Sequence, residues 1–420
     1  MNTTTLEPLE KLRPVSTPDQ IAAELPATGD YATHYQPSYP DPRALTEAIA
    51  EVQQTESVTS RENIQATRQA LAKAALNGFI VLDGSCAEPI RLRTPIQDLV
   101  DETIRTNEAI QASDIGHIFG DLVLCIKRNR GQSVKPRSSG TEVVTEENQT
   151  EAVKAGQIVA SFMGDGVNGE AVDQRTPRPD NMVAMAVQAR DLEAELTTAL
   201  GHHVPAAHEA LLLAYEKART AEDSTGRRYL LSADVPWIGA RTNSLDGAHV
   251  QLLTGIENAV GVKISDSSDE AHIMGLAKAL NPHDEEGKLI FMMRVGSDKE
   301  ERLDHVLNAI HDHAPNAIVM YDIHGVTKTI DGQKIRAVPD IIREIIELTE
   351  ACNKHGLRMS GVHLETMGDN NQFECVNNLG EKPTRPGYVD PRLNPMQLKA
   401  VLDAIANTVL NQELGTPETS

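Results

Sequence analysis

Leu289-Ile290-Phe291-Met292-Met293-Arg294 is an apolar run closed by a cation, and the same arrangement recurs along the chain. Val260-Gly261-Val262 ends in Lys263, 31 residues before Arg294, and Ala317-Ile318-Val319-Met320 leads through Asp322 to His324, 30 residues after it. That spacing fits one strand, one helix and two turns per unit. Four further runs share the design: Phe79-Ile80-Val81-Leu82, Leu122-Val123-Leu124-Cys125-Ile126, Tyr229-Leu230-Leu231 and Met359-Ser360-Gly361-Val362. Strands buried on both faces and separated by helices form a parallel sheet.

Helical spacing lies between and beyond these runs. Ile341, Ile342, Ile345, Leu348 and Cys352 follow Pro339-Asp340, and Leu398, Val401, Leu402, Ile405 and Val409 follow Asn394-Pro395. An Ala-rich stretch from Ile64 to Leu76 stops at Gly78, a C-terminal signal. The runs end in Asp83-Gly84-Ser85-Cys86-Ala87-Glu88, Lys127-Arg128, Lys263, Arg294, Asp322-Ile323-His324 and His363-Leu364-Glu365. An open doubly wound sheet gathers its ligands at one switch point, whereas a barrel draws on the ends of many strands. Reactive residues spread over six units therefore predict an α/β fold of the (β/α)8 TIM-barrel type. Its third strand falls between Gly164 and Tyr215.

The domain reading is an irregular, Pro-rich N-terminal arm over 1–43, free to pack on a partner subunit, a barrel over 44–412, and a frayed tail over 413–420. The formal net charge of −22 disfavours nucleic acid and anionic lipid, and no apolar run is long enough to span a membrane. The first residues lack a secretory signal, and four scattered cysteines (Cys86, Cys125, Cys352, Cys375) make no disulfide framework, so a cytoplasmic enzyme is expected.

Against that acidity, Lys127-Arg128-Asn129-Arg130-Gly131-Gln132-Ser133-Val134-Lys135-Pro136-Arg137-Ser138-Ser139 is a basic island set in Gly, Ser and Pro, a composition suited to holding a small anion. With Arg241, Lys263, Arg294 and Lys334, the island's Arg128, Lys135 and Arg137 form a set of cations without acidic neighbours in sequence, suited to phosphate or carboxylate. Cys86, His324, Glu365 and Asp390 offer S, N and O donors, a mixture suited to a divalent transition metal such as Mn²⁺, Co²⁺ or Fe²⁺. Gly164-Asp165-Gly166-Val167-Asn168-Gly169 matches a dinucleotide-binding pattern, but Pro177 and Pro179 follow and no helix opens at the glycines, so it is discounted. His202-His203 and His311-Asp312-His313 read as solvated, and Trp237 as core or pocket wall.

Several blocks in order resemble the class II 3-deoxy-D-arabino-heptulosonate 7-phosphate (DAHP) synthases. They are Gly84-Ser85-Cys86-Ala87-Glu88, Gly131-Gln132 with Lys135-Pro136-Arg137-Ser138, His208-Glu209-Ala210-Leu211, Trp237-Ile238-Gly239 with Arg241-Thr242, Asp246-Gly247-Ala248-His249, Gly261-Val262-Lys263 and Asp390-Pro391-Arg392-Leu393-Asn394. The resemblance implies a (β/α)8 barrel and a transferase that condenses phosphoenolpyruvate with erythrose 4-phosphate at the start of the shikimate pathway, or a paralogue serving secondary metabolism. It places metal ligands on Cys86, His324, Glu365 and Asp390, and phosphoenolpyruvate-binding cations on Arg128, Arg241, Lys263 and Arg294. Lys135, Arg137, Ser138 and Lys334 would hold the aldose phosphate. Lys263, Cys86 and His324 are the residues expected at the chemistry, with Cys86 a thiolate and Lys263 a proton donor near the aldehyde oxygen. A homo-oligomer is expected.

The chain departs from that pattern at Ser85, where Asp is usual, at Ala240, where an acid is usual, and at Met163, where Arg is usual. The segment Asp322-Ile323-His324-Gly325-Val326 is shortened. These changes keep two other readings open: condensation with a different aldehyde, and a non-catalytic regulatory or assembly partner on the same barrel. The stretch from Gly169 to His208 is also shorter than in typical members, which predicts weak or absent inhibition by aromatic amino acids.

Overall fold

Alternation along the apolar runs builds the barrel. In the computed structural model, which describes residues 12–25, 35–84, 92, 94–131, 133–265, 268–294, 300–330, 333–378, 381, 383 and 390–414, eight parallel strands pair in chain order. They are β1 (Phe79–Gly84), β2 (Val123–Lys127), β3 (Ala207–Glu209), β4 (Val235–Ile238), β5 (Val260–Ser265), β6 (Leu289–Arg294), β7 (Ile318–Asp322) and β8 (Met359–Glu365). β8 pairs back to β1, and Lys127 bridges Ala206 in parallel while its N–H donates to Pro205 O at 2.8 Å, so β2 also meets β3 and the sheet closes.

Each strand divides its residues by parity. Leu289, Phe291 and Met293, with Val260, Val262, Ile264, Val319, Tyr321, Val362 and Leu364, join the large apolar cluster shared with the outer helices. Ile290 and Met292 join Ile80, Leu82, Ile126, Ala207, Val235, Trp237, Ile318 and Met320 in the barrel interior. Period-two alternation then carries Arg128, Glu209, Gly239, Lys263, Arg294, Asp322 and Glu365 onto the interior parity at the C-terminal ends.

The helix Arg61–Asn77 covers the opposite mouth: Leu71 and Ala74 pack with the interior residues, and Arg358, just before β8, donates to Ala75 O and Gly78 O. Gly78 is needed there for close approach, since a Cβ would fall 2.1 Å from Leu122 O. Its φ of −137° is extended, unlike the left-handed glycine of a common helix C-cap.

The third strand, unlocated in the sequence, is the short Ala207–Glu209. The run Tyr229-Leu230-Leu231, expected in the barrel, instead contributes Arg228–Leu230 to a three-stranded antiparallel sheet with Thr220–Glu222 and Arg13–Pro14. β4 follows it at Val235–Ile238. An apolar triplet cannot by itself distinguish a parallel partner from an antiparallel one.

The segment read as an irregular arm folds back on its own chain where it is described. Thr17 caps the helix Pro18–Ala23, and Ile21 is fully buried. Ile21 joins Leu45, Ile49 and Val52 of the helix Pro42–Gln54 in a second core with Val134, Met163, Met182 and Leu211. This core backs the loops that follow β2 and β3. The terminal helix extends to Leu414, and the remaining tail lies outside the described residues. No described helix is long and apolar enough to cross a membrane.

Candidate active site

The C-terminal rim encloses a cavity of about 240 Å³. Its lining contains Arg128, Lys135, Arg137, Ser138, Arg241, Lys263, Arg294, Lys334, His324, Glu365 and Asp390, so sequence positions spanning the chain are brought to one place. Cys86, the remaining expected donor, lies outside the described residues; β1 ends two positions earlier at Gly84, in register with Glu365.

The cations of the basic island go to different places. Arg128 continues the inward face of β2, whereas Lys127 turns outward to Asp83 at 2.6 Å and to the Thr106 hydroxyl. Arg130 is fully buried and pairs with Glu193 of the helix Pro179–Leu200, away from the cavity. The island thus sends Arg128, Lys135, Arg137 and Ser138 to the cavity and uses Lys127 and Arg130 to anchor its own loop. Lys135 N donates to Met163 O at 2.9 Å, and Arg137 donates to Phe162 O and lies over the Phe162 ring.

Met163 itself is buried in the second core and does not line the cavity, so this substitution acts on packing behind the loop. Ala240 does line it, between Gly239 and Arg241. His203, expected to be solvated, is held between Glu193 (2.7 Å) and Asp234 (3.0 Å). Trp237 is completely buried beneath the rim, with the Arg128 guanidinium 5.1 Å and Lys263 Nζ 5.7 Å from its ring centroid. It is pocket floor, and its indole face favours the two cations above it.

At the metal-donor end, one ligand atom each from His324, Glu365 and Asp390 lies within 4.8 Å of the others. His324 Nε2 is 3.2 Å from Glu365 Oε1 and 3.9 Å from Asp390 Oδ2, while its Nδ1 is 2.7 Å from Asp322 Oδ1. Lys263 Nζ is 3.2 Å from that same Nδ1. A single ring nitrogen cannot donate to Asp322 and accept from Lys263 together, and the shorter contact to an obligate acceptor assigns a proton to Nδ1. Nε2 faces two carboxylates. An imidazole nitrogen and two carboxylates gathered at one point are donor types that suit a divalent metal.

Arg336, fully buried, donates to Glu365 Oε2 at 2.6 Å and lies 4.0 Å from Asp390 Oδ2. Lys334, on the same parity of the hairpin Lys328–Ile330/Gln333–Ile335, reaches Asp390 Oδ1 at 2.8 Å. Arg128 donates to Glu365 Oε1 at 3.1 Å. Burial works against the charged form of Glu365, yet His324 and Arg336 hold its carboxyl well below the usual range. Asp322 is likewise held low despite burial, by His324 and Lys263. Burial pushes Lys263 down to about 8 in spite of Asp322, bringing its proton transfer close to neutral pH.

Three contributors escaped the expected residue set. Arg336 stands two residues beyond Lys334 and just past its hairpin strand, Asp322 precedes His324 by two, and Glu209 completes β3 on its inward parity; Asp322 and Glu209 are legible once the strand phase is known.

A closed parallel barrel with seven cations and the His324, Glu365 and Asp390 cluster converging above the strand C-termini has the architecture of a (β/α)8 enzyme. The chain belongs to the class-II DAHP synthetase family, whose model matches residues 27–193 and 187–406. It is 29% identical over 388 residues to a probable phospho-2-dehydro-3-deoxyheptonate aldolase of Pseudomonas fluorescens, covering 86% of this chain and 92% of that protein. It is 28% identical to the phospho-2-dehydro-3-deoxyheptonate aldolase of Neurospora crassa, over 86% of this chain and 89% of the relative. A solved phospho-2-dehydro-3-deoxyheptonate aldolase from Francisella tularensis superposes with a TM-score of 0.53 at 15% identity, covering 87% of this chain and 96% of that one, a likeness of fold. As a member of that family the chain is a transferase.

Proposed function

We propose that the chain condenses phosphoenolpyruvate with erythrose 4-phosphate, yielding DAHP and phosphate in a metal-dependent reaction. The convergence of seven cationic side chains with the His324, Glu365 and Asp390 donors on one cavity carries this reading. Two phosphorylated substrates, one also a carboxylate, need fixed cations to enter a protein of charge −22.

In this reading Arg128, Arg241, Lys263 and Arg294 bind phosphoenolpyruvate. Lys135, Arg137, Ser138 and Lys334 take the phosphate of the aldose, orienting its C1 carbonyl towards C3 of the enolpyruvate. His324, Glu365, Asp390 and Cys86 would hold a divalent cation such as Mn²⁺, Co²⁺ or Fe²⁺, which when bound supplies Lewis-acid polarisation of the acceptor's carbonyl. The C3–C1 bond forms as the enol π electrons move, and Lys263 donates a proton to the developing alkoxide. Water then adds at C2, and the C2–O bond to phosphate breaks to leave the ketone. Arg128 and Arg294 hold the departing phosphate. The work is that of a homo-oligomeric cytoplasmic enzyme.

The test is to incubate Mn²⁺-loaded protein with phosphoenolpyruvate and a panel of aldoses, following enolpyruvate absorbance and phosphate release together. Consumption with erythrose 4-phosphate is the expected result. Consumption only with another aldehyde supports the second reading, which Ala240 in the cavity wall favours. No consumption despite bound metal points to a non-catalytic partner.

A further inference from the structure

Asp322 is the last residue of β7, and its carboxylate is fully buried. Four side chains converge on it. His324 Nδ1 lies 2.7 Å and His363 Nδ1 3.3 Å from Oδ1, Arg294 Nε lies 3.1 Å from Oδ2, and Lys263 Nζ lies 3.4 Å from the carboxylate. These come from β5, β6, the turn after β7, and β8, so one carboxylate ties together consecutive units of the barrel.

We propose that Asp322 is the positioning residue that holds the metal-donor cluster and the phosphoenolpyruvate cations in register with each other. This rests on the reading of His324 as a metal ligand and of Lys263 and Arg294 as substrate cations. On one side Asp322 accepts the Nδ1 proton of His324, which fixes the ring and leaves Nε2 facing Glu365 and Asp390 as the ring's metal-ligating atom. On the other it holds Lys263 and Arg294, both of which line the cavity. Without this shared acceptor, two like charges would separate and the imidazole would be free to turn. An amide at this position carries one acceptor oxygen and no charge, so it cannot serve the imidazole and both cations at once.

Asp322→Asn tests this with two binding measurements. Free Mn²⁺ is titrated by electron paramagnetic resonance, and phosphoenolpyruvate is titrated through the fluorescence of Trp237, the only tryptophan, which lies beneath Lys263 and Arg128. The variant is expected to lose about 10–100-fold in Mn²⁺ affinity and about tenfold in phosphoenolpyruvate affinity. Glu344→Gln alters another buried carboxylate, bonded to the Tyr321 hydroxyl and away from the cavity, and is expected to change stability but neither affinity. If Asp322→Asn does not fold, Asp322→Glu keeps the charge while displacing it by one methylene, and the same two losses are expected. Wild-type affinity for either ligand in the folded variant overturns the two-sided role. A wild-type protein that binds neither Mn²⁺ nor phosphoenolpyruvate overturns the functional reading beneath it.

Discussion

Arg336 and Glu365 form a fully buried ion pair, NH1 to Oε2 at 2.6 Å, behind His324 and Asp390. The same guanidinium donates to Pro391 O at 2.7 Å and to Thr327 Oγ1 at 2.7 Å, so it ties the Asp390 segment to the end of β8. Removing it leaves a buried carboxylate short of its nearest partner. Arg336→Leu is expected to cost about 3–5 kcal/mol of unfolding free energy, read from the urea midpoint at constant m-value. An unchanged midpoint would show that Arg128 and His324 compensate alone.

Metal removal should silence the protein reversibly. Chelation is expected to abolish phosphoenolpyruvate consumption, with activity restored by Mn²⁺ or Co²⁺. His324→Ala, Glu365→Gln and Asp390→Asn each remove one of the converging donors and should weaken Mn²⁺ binding about tenfold or more. Full activity in chelator, at metal concentrations verified by elemental analysis, would remove the cation from the reaction.

His203 links pH to stability. Burial lowers its basicity, but Asp234 and Glu193 override this and raise its pKa from 6.5 to about 9. Because the folded pKa is the higher one, the stabilisation is fully present below the unfolded value near 6.5 and is lost as pH rises through 9. With partial solvent screening this amounts to about 2 kcal/mol. His203→Gln should flatten the fall in stability between pH 7 and pH 10 by that amount, measured by urea unfolding across the range.

Ala240 stands in the cavity wall beside Arg241, where the family pattern has an acid. Ala240→Glu is expected to raise discrimination for erythrose 4-phosphate over other aldehydes by about tenfold in kcat/KM, leaving Mn²⁺ affinity unchanged. Equal effects on every acceptor would remove position 240 from acceptor choice.

Most of the barrel was legible because burial on both faces leaves continuous apolar runs. β1, β2, β5, β6, β7 and β8 all appear as such runs, each ending in its reactive residue. β3 and β4 were not, because they are three and four residues long and include His208, Glu209 and Pro236, which interrupt any apolar signal. Arg228–Leu230 mimicked a barrel strand because its burial comes from a different sheet.

The sequence by itself determined the positions of six of the eight barrel strands, the residue types at their ends and the family, since these depend on local apolar runs and on ordered motifs. Tertiary structure alone decided how the basic island divides. Adjacent residues of a strand point to opposite faces, so Arg128 reaches the cavity while Lys127 pairs with Asp83. It also decided the partners. Asp322, His363, Lys263 and Arg294 are separated by up to 100 residues in the chain and meet only because the closed barrel brings the ends of β5 to β8 onto one rim.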